Sequence, residues 1–256
     1  MTTVEQTLFL CARVLRNLAR QPIWIVVMVV QPMFWLLLYS QLFRRITDLG
    51  SFGTSDYVDY LTPGVAVMTA FFSGSWAGMG MIEDLDRGVI ERFLATPARR
   101  SAIVFGWVLY SGIVATLQAL LILLTGLVLG ATNGGIVGWL VILLASFLIA
   151  AGFAGLSHGI ALLTRQEASM IAIAQFIGLP LLFVSSLLIA QELIPGWMQA
   201  LSLLNPVEWA TRAARGEALP GTGWDEIGTF LVLLLAFVAA TGAFATWCFG
   251  AYRRAL

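Results

Sequence analysis

The chain has 256 residues, no net formal charge, 59% hydrophobic and 11% charged residues, and a mean hydropathy of +0.90. Soluble domains carry about 25% charged residues, so a water-soluble fold is excluded, and the balanced charge removes any general attraction to nucleic acid. The length accommodates about six spans of about 20 residues each with their connections, which predicts one all-α integral membrane domain over residues 1–256.

Residues 1–22 contain an amphipathic helix over 4–20, with Leu8, Ala12, Leu15 and Ala19 at helical spacing and Arg13, Arg16 and Arg20 on another face. Such a helix lies in the headgroup plane, Arg toward anionic lipid and Leu toward the acyl chains. The first apolar run, 23–43, is longer than a signal-peptide core and is followed by Arg44 and Arg45, so it reads as a retained span. Gln31-Pro32 interrupts it, and the proline should free a backbone carbonyl and kink the helix.

Residues 44–61 are polar, and a second span is expected over 62–82. A charged island, Glu83 to Arg100, follows. Spans three and four are expected over 101–129 and 136–163, joined by the tight turn Ala131-Thr132-Asn133-Gly134-Gly135. Thr164-Arg165-Gln166-Glu167 links to span five (168–190), and span six covers 228–250. Between them, 191–227 holds a run too short to cross, Leu193 to Leu204, then Asn205-Pro206 and a helix from Val207 to Leu219 with Glu208, Arg212 and Arg215 on its polar side. A hairpin of short helices re-entering from the outer face is expected there, with an ordinary surface loop as the competing reading.

Six spans put both termini on one side. That side, with the island and the 164–167 link, carries ten arginines against four (Arg44, Arg45, Arg212, Arg215) on the other, so the termini are expected in the cytoplasm. All fourteen basic residues are arginine, a usage that fits a GC-rich bacterial genome and a bacterial cell membrane. Cys11 and Cys248 lie near the cytoplasmic ends, where a structural disulfide is not expected. One His and two Cys supply no zinc or iron–sulfur ligand set.

Gly155-Leu156-Ser157-His158-Gly159 has the letters of a G-x-S-x-G nucleophile motif. That motif needs a strand–turn–helix elbow, whereas Ser157 and His158 are neighbours on a predicted helix and point about 100° apart. Small-xxx-small packing through Gly155 and Gly159 is the reading adopted, with His158 a hydrogen-bonded interior residue. The predicted spans carry no Asp, Glu or Arg well inside their boundaries, which argues against ion-coupled carriage. A chain without lysine also cannot supply a P-loop. A pump built on this chain must therefore take its motor from another polypeptide.

Within the island, 83–100, Val89, Ile90, Phe93 and Leu94 form one apolar face, Arg87 and Glu91 stand at i, i+4 on another, and Thr96-Pro97 stops the helix. Charges cost roughly 2.5–3.5 kcal/mol each at the centre of a membrane helix, so the island projects as a short rigid helix; the alternative is a solvated turn. Of the aromatics in the spans, Phe34, Tyr39, Phe72, Trp76 and Phe183 are candidates to line a path for an amphipathic molecule. A homo- or heterodimeric interface could use Gly74-x-x-x-Gly78.

The run Asp84-Leu85-Asp86-Arg87-Gly88-Val89-Ile90-Glu91-Arg92-Phe93-Leu94-Ala95-Thr96-Pro97 resembles the cytoplasmic-loop signature of type-2 ABC exporter permeases. Gln31-Pro32, Tyr60-Leu61-Thr62-Pro63-Gly64, and Leu204-Asn205-Pro206 followed by Arg212 match the same family in order. The likeness covers essentially the whole chain and leans to the daunorubicin-resistance and nodulation-factor export branch, with Val89-Ile90 departing from the small residue that often follows the Gly. The resemblance implies six spans, an interfacial helix, a coupling helix, external re-entrant helices, a second permease, and a nucleotide-binding subunit that holds the ATP and magnesium. It places Gly88, Glu91, Thr96 and Pro97 on the coupling helix, flanked by Arg87 and Arg92. The expected activity is export of a drug, polyketide, lipid or lipid-linked glycan, with no bond-making in this chain; the rivals are a stand-alone secondary transporter or channel and an intramembrane hydrolase.

Overall fold

A computed structural model of the protein describes residues 3–42, 57–94, 100–132, 134–187, 194–216 and 223–254. Among them are eleven helices and no strand: α1 Thr3–Ala19, α2 Pro22–Leu42, α3 Tyr57–Ser75, α4 Gly78–Asp86, α5 Val89–Leu94, α6 Arg100–Val128, α7 Gly135–Thr164, α8 Glu167–Phe183, α9 Gly196–Ser202, α10 Pro206–Arg215 and α11 Trp224–Arg254. Four helical stretches are long and apolar enough to cross a membrane: Tyr57–Asp86, Ser101–Val128, Gly135–Thr164 and Trp224–Tyr252. The segments expected as spans one and five contain the shorter apolar helices Val26–Leu42 and Glu167–Phe183. At 1.5 Å per residue the 17-residue α8 covers about 25 Å, slightly less than a typical hydrocarbon core.

The hub is α7, which packs on α11, α6, α3 and α10. Its small residues let neighbours approach closely: a side chain at Gly155 would meet Thr241 and Gly242, and one at Gly159 would meet the Phe244 ring. The small-xxx-small reading therefore holds, with α11 as the partner. The Ser157 hydroxyl donates to Ser75 O (2.8 Å) and accepts from Gly78 N–H (2.8 Å), stitching the break at Trp76-Ala77 where α3 passes into α4. His158 is fully buried with Nδ1 against Ala154 O, 2.5 Å away, so the hydroxyl and the imidazole serve different partners.

Two expectations are corrected. Gly74 and Gly78 are occupied within the chain, against Ala150 and Ser157 of α7, so they are not free for a second permease. The side of α10 that bears Glu208 and Arg215 is its buried side: helical periodicity identified the face, but neighbours decided that it is covered. The helical stretch that holds the second span runs on past residue 82 into Glu83, Asp84 and Asp86 of α4. α1 seats Leu10, Cys11 and Val14 over Gly106 of α6 and the adjoining core, while Leu8 and Ala12 face outward.

Pro32 lies within α2 and removes the N–H that would satisfy Met28 O. Gln118 Nε2 from α6 reaches that carbonyl at 3.4 Å, a long contact that supplies the missing donor. Between α6 and α7, Gly134 and Gly135 of the expected turn take positive φ while Asn133 lies outside the described residues, and Asp59 at the start of α3 accepts from Thr132 N–H (2.6 Å). Arg165 caps α7 with φ 54° and lies 4.6 Å over the Tyr252 ring, which places the 164–167 link beside the end of α11. Buried apolar side chains form two clusters. One, around Tyr60, Phe71, Ile122 and Val207, lies toward α10; the other, around Val14, Ile82, Ile90 and Phe249, lies toward α1 and α5.

Candidate functional site

The predicted island folds as an elbow. α4 ends at Asp86, Arg87 and Gly88 turn, and α5 begins at Val89. Gly88 has φ 64°, a left-handed conformation that costs other L-residues roughly 1–2 kcal/mol. Its N–H donates to Leu85 O (3.0 Å), and Arg92 N–H donates back to Gly88 O (3.4 Å). Ile90 is fully buried and anchors α5 in the cluster with Met81, Ile82 and Ile103, while Val89 is half-buried. Arg87 and Arg92 are exposed. Arg87 lies in the turn before α5, so it and Glu91 do not share one continuous helix as expected, and Arg87 pairs with Glu83 of α4 at 2.5 Å. Glu91, Phe93 and Leu94 lie in α5, whereas Thr96 and Pro97 lie outside the described residues.

Two residues that the sequence reading did not bring together lock the base of the elbow. Arg13 of α1 donates Nη1 to Asp84 Oδ2 and Nη2 to Asp84 Oδ1, both at 3.1 Å. Asp84 is 7% exposed, so this two-pronged pair is shielded where the Arg87–Glu83 pair is not. Arg13 therefore faces a carboxylate of its own chain, where lipid phosphate was expected. The Arg13 and Asp84 positions are 71 residues apart, and no local spacing signals their meeting.

The five candidate path aromatics fall on α2 (Phe34, Tyr39), on α3 and its terminal turn (Phe72, Trp76) and on α8 (Phe183). Both α2 and α8 pack on α3. Phe34 and Phe183 are exposed, and Tyr39, Phe72 and Trp76 are half-buried. Tyr39 stacks on Trp35 at 5.3 Å and Phe72 meets Phe71 at 5.2 Å, so the contacts run to neighbours outside the set. A crevice between α3, α7 and α8 is walled by Ser75, Phe153, Ser157, Met170 and Ile177, and none of the five aromatics lines it.

At the opposite end, α10 carries a second charged constellation that the sequence reading missed. Asn205 caps the helix, accepting from Val207 N–H (2.9 Å), with Pro206 in the first turn. Glu208 is fully buried and accepts from Ser186 N–H (2.6 Å), Ser186 Oγ (3.1 Å) and Arg212 Nε (2.7 Å). Arg215, 4% exposed, donates Nε to Tyr60 O (3.1 Å), Nη1 to Ser186 O (2.7 Å) and Nη2 to Leu187 O. Its guanidinium lies 3.6 Å from the centroid of the Tyr60 ring. Burial pulls Arg215 below its ordinary pKa, and Tyr60 and Glu208 oppose that pull. Among the described residues no group of His, Cys, Asp or Glu is arranged to hold a metal ion.

The ABC-2 type transporter family matches residues 5–218, which takes in α1, the elbow and the α10 constellation. The chain belongs to that family. The ABC-2 permease is also 29% identical over 213 residues to a protein of Cyanophora paradoxa named as a transport permease, covering 83% of this chain and 73% of the relative. It is 28% identical over 246 residues to a daunorubicin resistance ABC transporter permease of Streptomyces coeruleorubidus, covering 93% and 83%. A protein of Mycobacterium tuberculosis named for doxorubicin resistance matches at 24% over 221 residues, covering 85% and 78%. The ABC-2 permease is accordingly a multi-pass membrane subunit of an ABC transporter, a class that works with an ATP-binding subunit.

Proposed function

We propose that this ABC-2 permease is the membrane-spanning half of an ATP-driven exporter, gripped at the α4–α5 elbow by a separate nucleotide-binding subunit. The observation that carries this reading is the elbow itself. A left-handed Gly88 reverses the chain, Ile90 fixes α5 in the core, and Arg87 and Arg92 stay exposed. Such a knob is stiff toward the membrane domain and accessible from outside it. Arg87, Gly88, Val89, Ile90, Glu91, Arg92, Phe93, Leu94, Thr96 and Pro97 make up the proposed contact. ATP and magnesium act in the partner, whose closure pushes the elbow. The relatives named for drug resistance support export over import.

In this reading the chain crosses a bacterial cell membrane six times with both termini cytoplasmic, and the 191–227 region re-enters from outside. Its packing supports the sidedness, since α1, the elbow and the end of α11 share one apolar cluster. A second permease, identical or not, closes over the side formed by α2, α3 and α8. The cargo is amphipathic or hydrophobic (a drug, polyketide, lipid or lipid-linked glycan) and passes Phe34, Tyr39, Phe72, Trp76 and Phe183.

The test uses permease co-expressed with its ATP-binding subunit and reconstituted in proteoliposomes with doxorubicin as the probe cargo. Gly88→Val should leave the permease in the membrane and lower ATP-dependent doxorubicin movement at least tenfold. Unchanged ATP-dependent movement in this variant would remove the elbow as the grip, and movement driven by an ion gradient with no ATP-binding subunit present would replace the exporter reading with a secondary carrier.

A further inference from the structure

We propose that Arg215 is a positioning residue for transport: it ties the end of α8 to α3, so that motion begun at the elbow is delivered to α8. The role of that motion rests on the exporter reading, whereas the tie itself does not.

Buried backbone that lies outside a helix or a sheet must find donors for its carbonyls elsewhere. α8 stops at Phe183, and Ser185, Ser186 and Leu187 follow as buried, non-helical backbone. Arg215 answers two of those carbonyls at once, Ser186 O and Leu187 O, and spends its Nε on Tyr60 O of α3. Tyr60 adds its hydroxyl to Ser186 O at 2.9 Å, and Glu208 holds the Ser186 N–H and hydroxyl. Every polar group of Ser186 is thereby held by α3 or α10. A planar guanidinium with its donors in a fixed fork suits this task, and a lysine's single ammonium does not reproduce it. Gly64, one turn along α3 from Tyr60, completes the fit: a Cβ there would strike Leu187 O and lie 2.8 Å from Arg215 Nη2.

The rest of α8 makes this arrangement more than filling. Only Met170 and Gly178 are buried along its 17 residues, whereas Phe176, Leu179 and Phe183 are exposed. Within its own chain α8 is thus lightly held along its length and tightly held just past its end. α3, for its part, is buried at nearly every position and continues through the Ser157 stitch into α4 and the elbow. Tyr60 lies near the start of α3 and Asp86 at the end of α4, two helices joined at the Ser157 stitch, and Arg215 joins the far end of α3 to the segment that follows α8. A hydrophobic replacement of the constellation would fill the same volume, but it would not fix two backbone segments to each other in one register.

Two measurements separate the tie from its use. In the first, permease alone in nanodiscs is followed by hydrogen–deuterium exchange. Arg215→Met should speed exchange of amides in 179–187 at least tenfold with 141–158 unchanged, and Arg215→Lys should fall between. Unchanged exchange in 179–187 would overturn the tie. In the second, spin labels at Leu179→Cys and Val128→Cys, both exposed positions, report the α8–α6 distance in permease complexed with its ATP-binding subunit. ATP–vanadate should shift that distance in the otherwise native protein. In Arg215→Met the shift should vanish while ATP hydrolysis stays within twofold, an outcome that simple destabilisation does not give. A shift that survives Arg215→Met would overturn the positioning role. Should Arg215→Met fail to reach the membrane, Tyr60→Phe, which removes one hydrogen bond, takes its place and should halve the shift; a full shift would count against the proposal. If the native complex shows no shift and no hydrolysis, the exporter reading fails, and the exchange measurement still decides the tie.

Discussion

The two ends of this permease use charge in opposite ways. At the elbow, Arg87 and Glu83 meet with side chains 66% and 51% exposed, and Arg92 is exposed beside them. At the α10 end, the Glu208 side chain is 1% exposed and held by Ser186 and Arg212, and Arg215 is 4% exposed and held by three backbone carbonyls. Exposed ion pairs contribute about 0–1 kcal/mol, so the elbow charges do little for the fold and are free to serve a partner. Buried charges are costly to strand once one member is lost, so the α10 charges fix geometry. The Arg13–Asp84 pair lies between these extremes, half-shielded, and joins α1 to the base of the elbow.

The sharpest way to break this comparison is Glu208→Ala. It strands three donors, Ser186 N–H, Ser186 Oγ and Arg212 Nε, and should lower stability by about 3–5 kcal/mol, read as a large drop in the thermal midpoint of detergent-purified permease. A midpoint unchanged within error would show that the α10 charges are ornamental. Gly64→Ala should come next. Its Cβ lands between Leu187 O and Arg215 Nη2, and such overpacking costs about 1–3 kcal/mol. Pairing it with Tyr60→Phe should give non-additive midpoints if both act on one constellation.

Asp84→Asn comes third, at about 1–2 kcal/mol for a shielded charge-assisted pair. Its signature is local: α1 should become the first site of limited proteolysis, with α7 unaffected. Arg87→Ala is the smallest in stability, within about 0.5 kcal/mol, yet the largest of the four in loss of ATP-binding-subunit co-purification. If Arg87→Ala destabilised the fold as much as Glu208→Ala, the distinction between the two ends would collapse. A related check concerns Cys11, whose thiol burial pushes up in pKa. It should resist maleimide at neutral pH, where thiolate is scarce, and become reactive when Asp84→Asn loosens α1.

Much of the fold was legible because membranes impose a simple rule. Backbone polar groups must be satisfied within a helix, so apolar runs bounded by charge announce the long helices. That rule found α6, α7 and α11 within a few residues and the island between α4 and α6. The left-handed turn at Gly88 was not read, since Arg87 and Glu91 were placed at i, i+4 of one helix running through it. The proline in α2 announced a freed carbonyl, but that Gln118 answers it depends on α6 lying alongside. The α10 face was misjudged for a physical reason: charges at helical spacing ordinarily mean solvent, and only the presence of unpartnered carbonyls after α8 turns that face inward.

The sequence by itself determined that this protein is helical and membrane-borne, where its long helices lie, and that one polar knob projects between two of them. These follow from free energies local to each segment, namely the burial of apolar side chains and the solvation of charges. Only the tertiary structure decided that Arg13 meets Asp84, that Gly74 and Gly78 serve α7, and that Arg215 and Tyr60 close on Ser186. Those contacts join residues tens to more than a hundred positions apart. Their energies exist only once distant segments have been brought side by side, and no single stretch of chain carries their imprint.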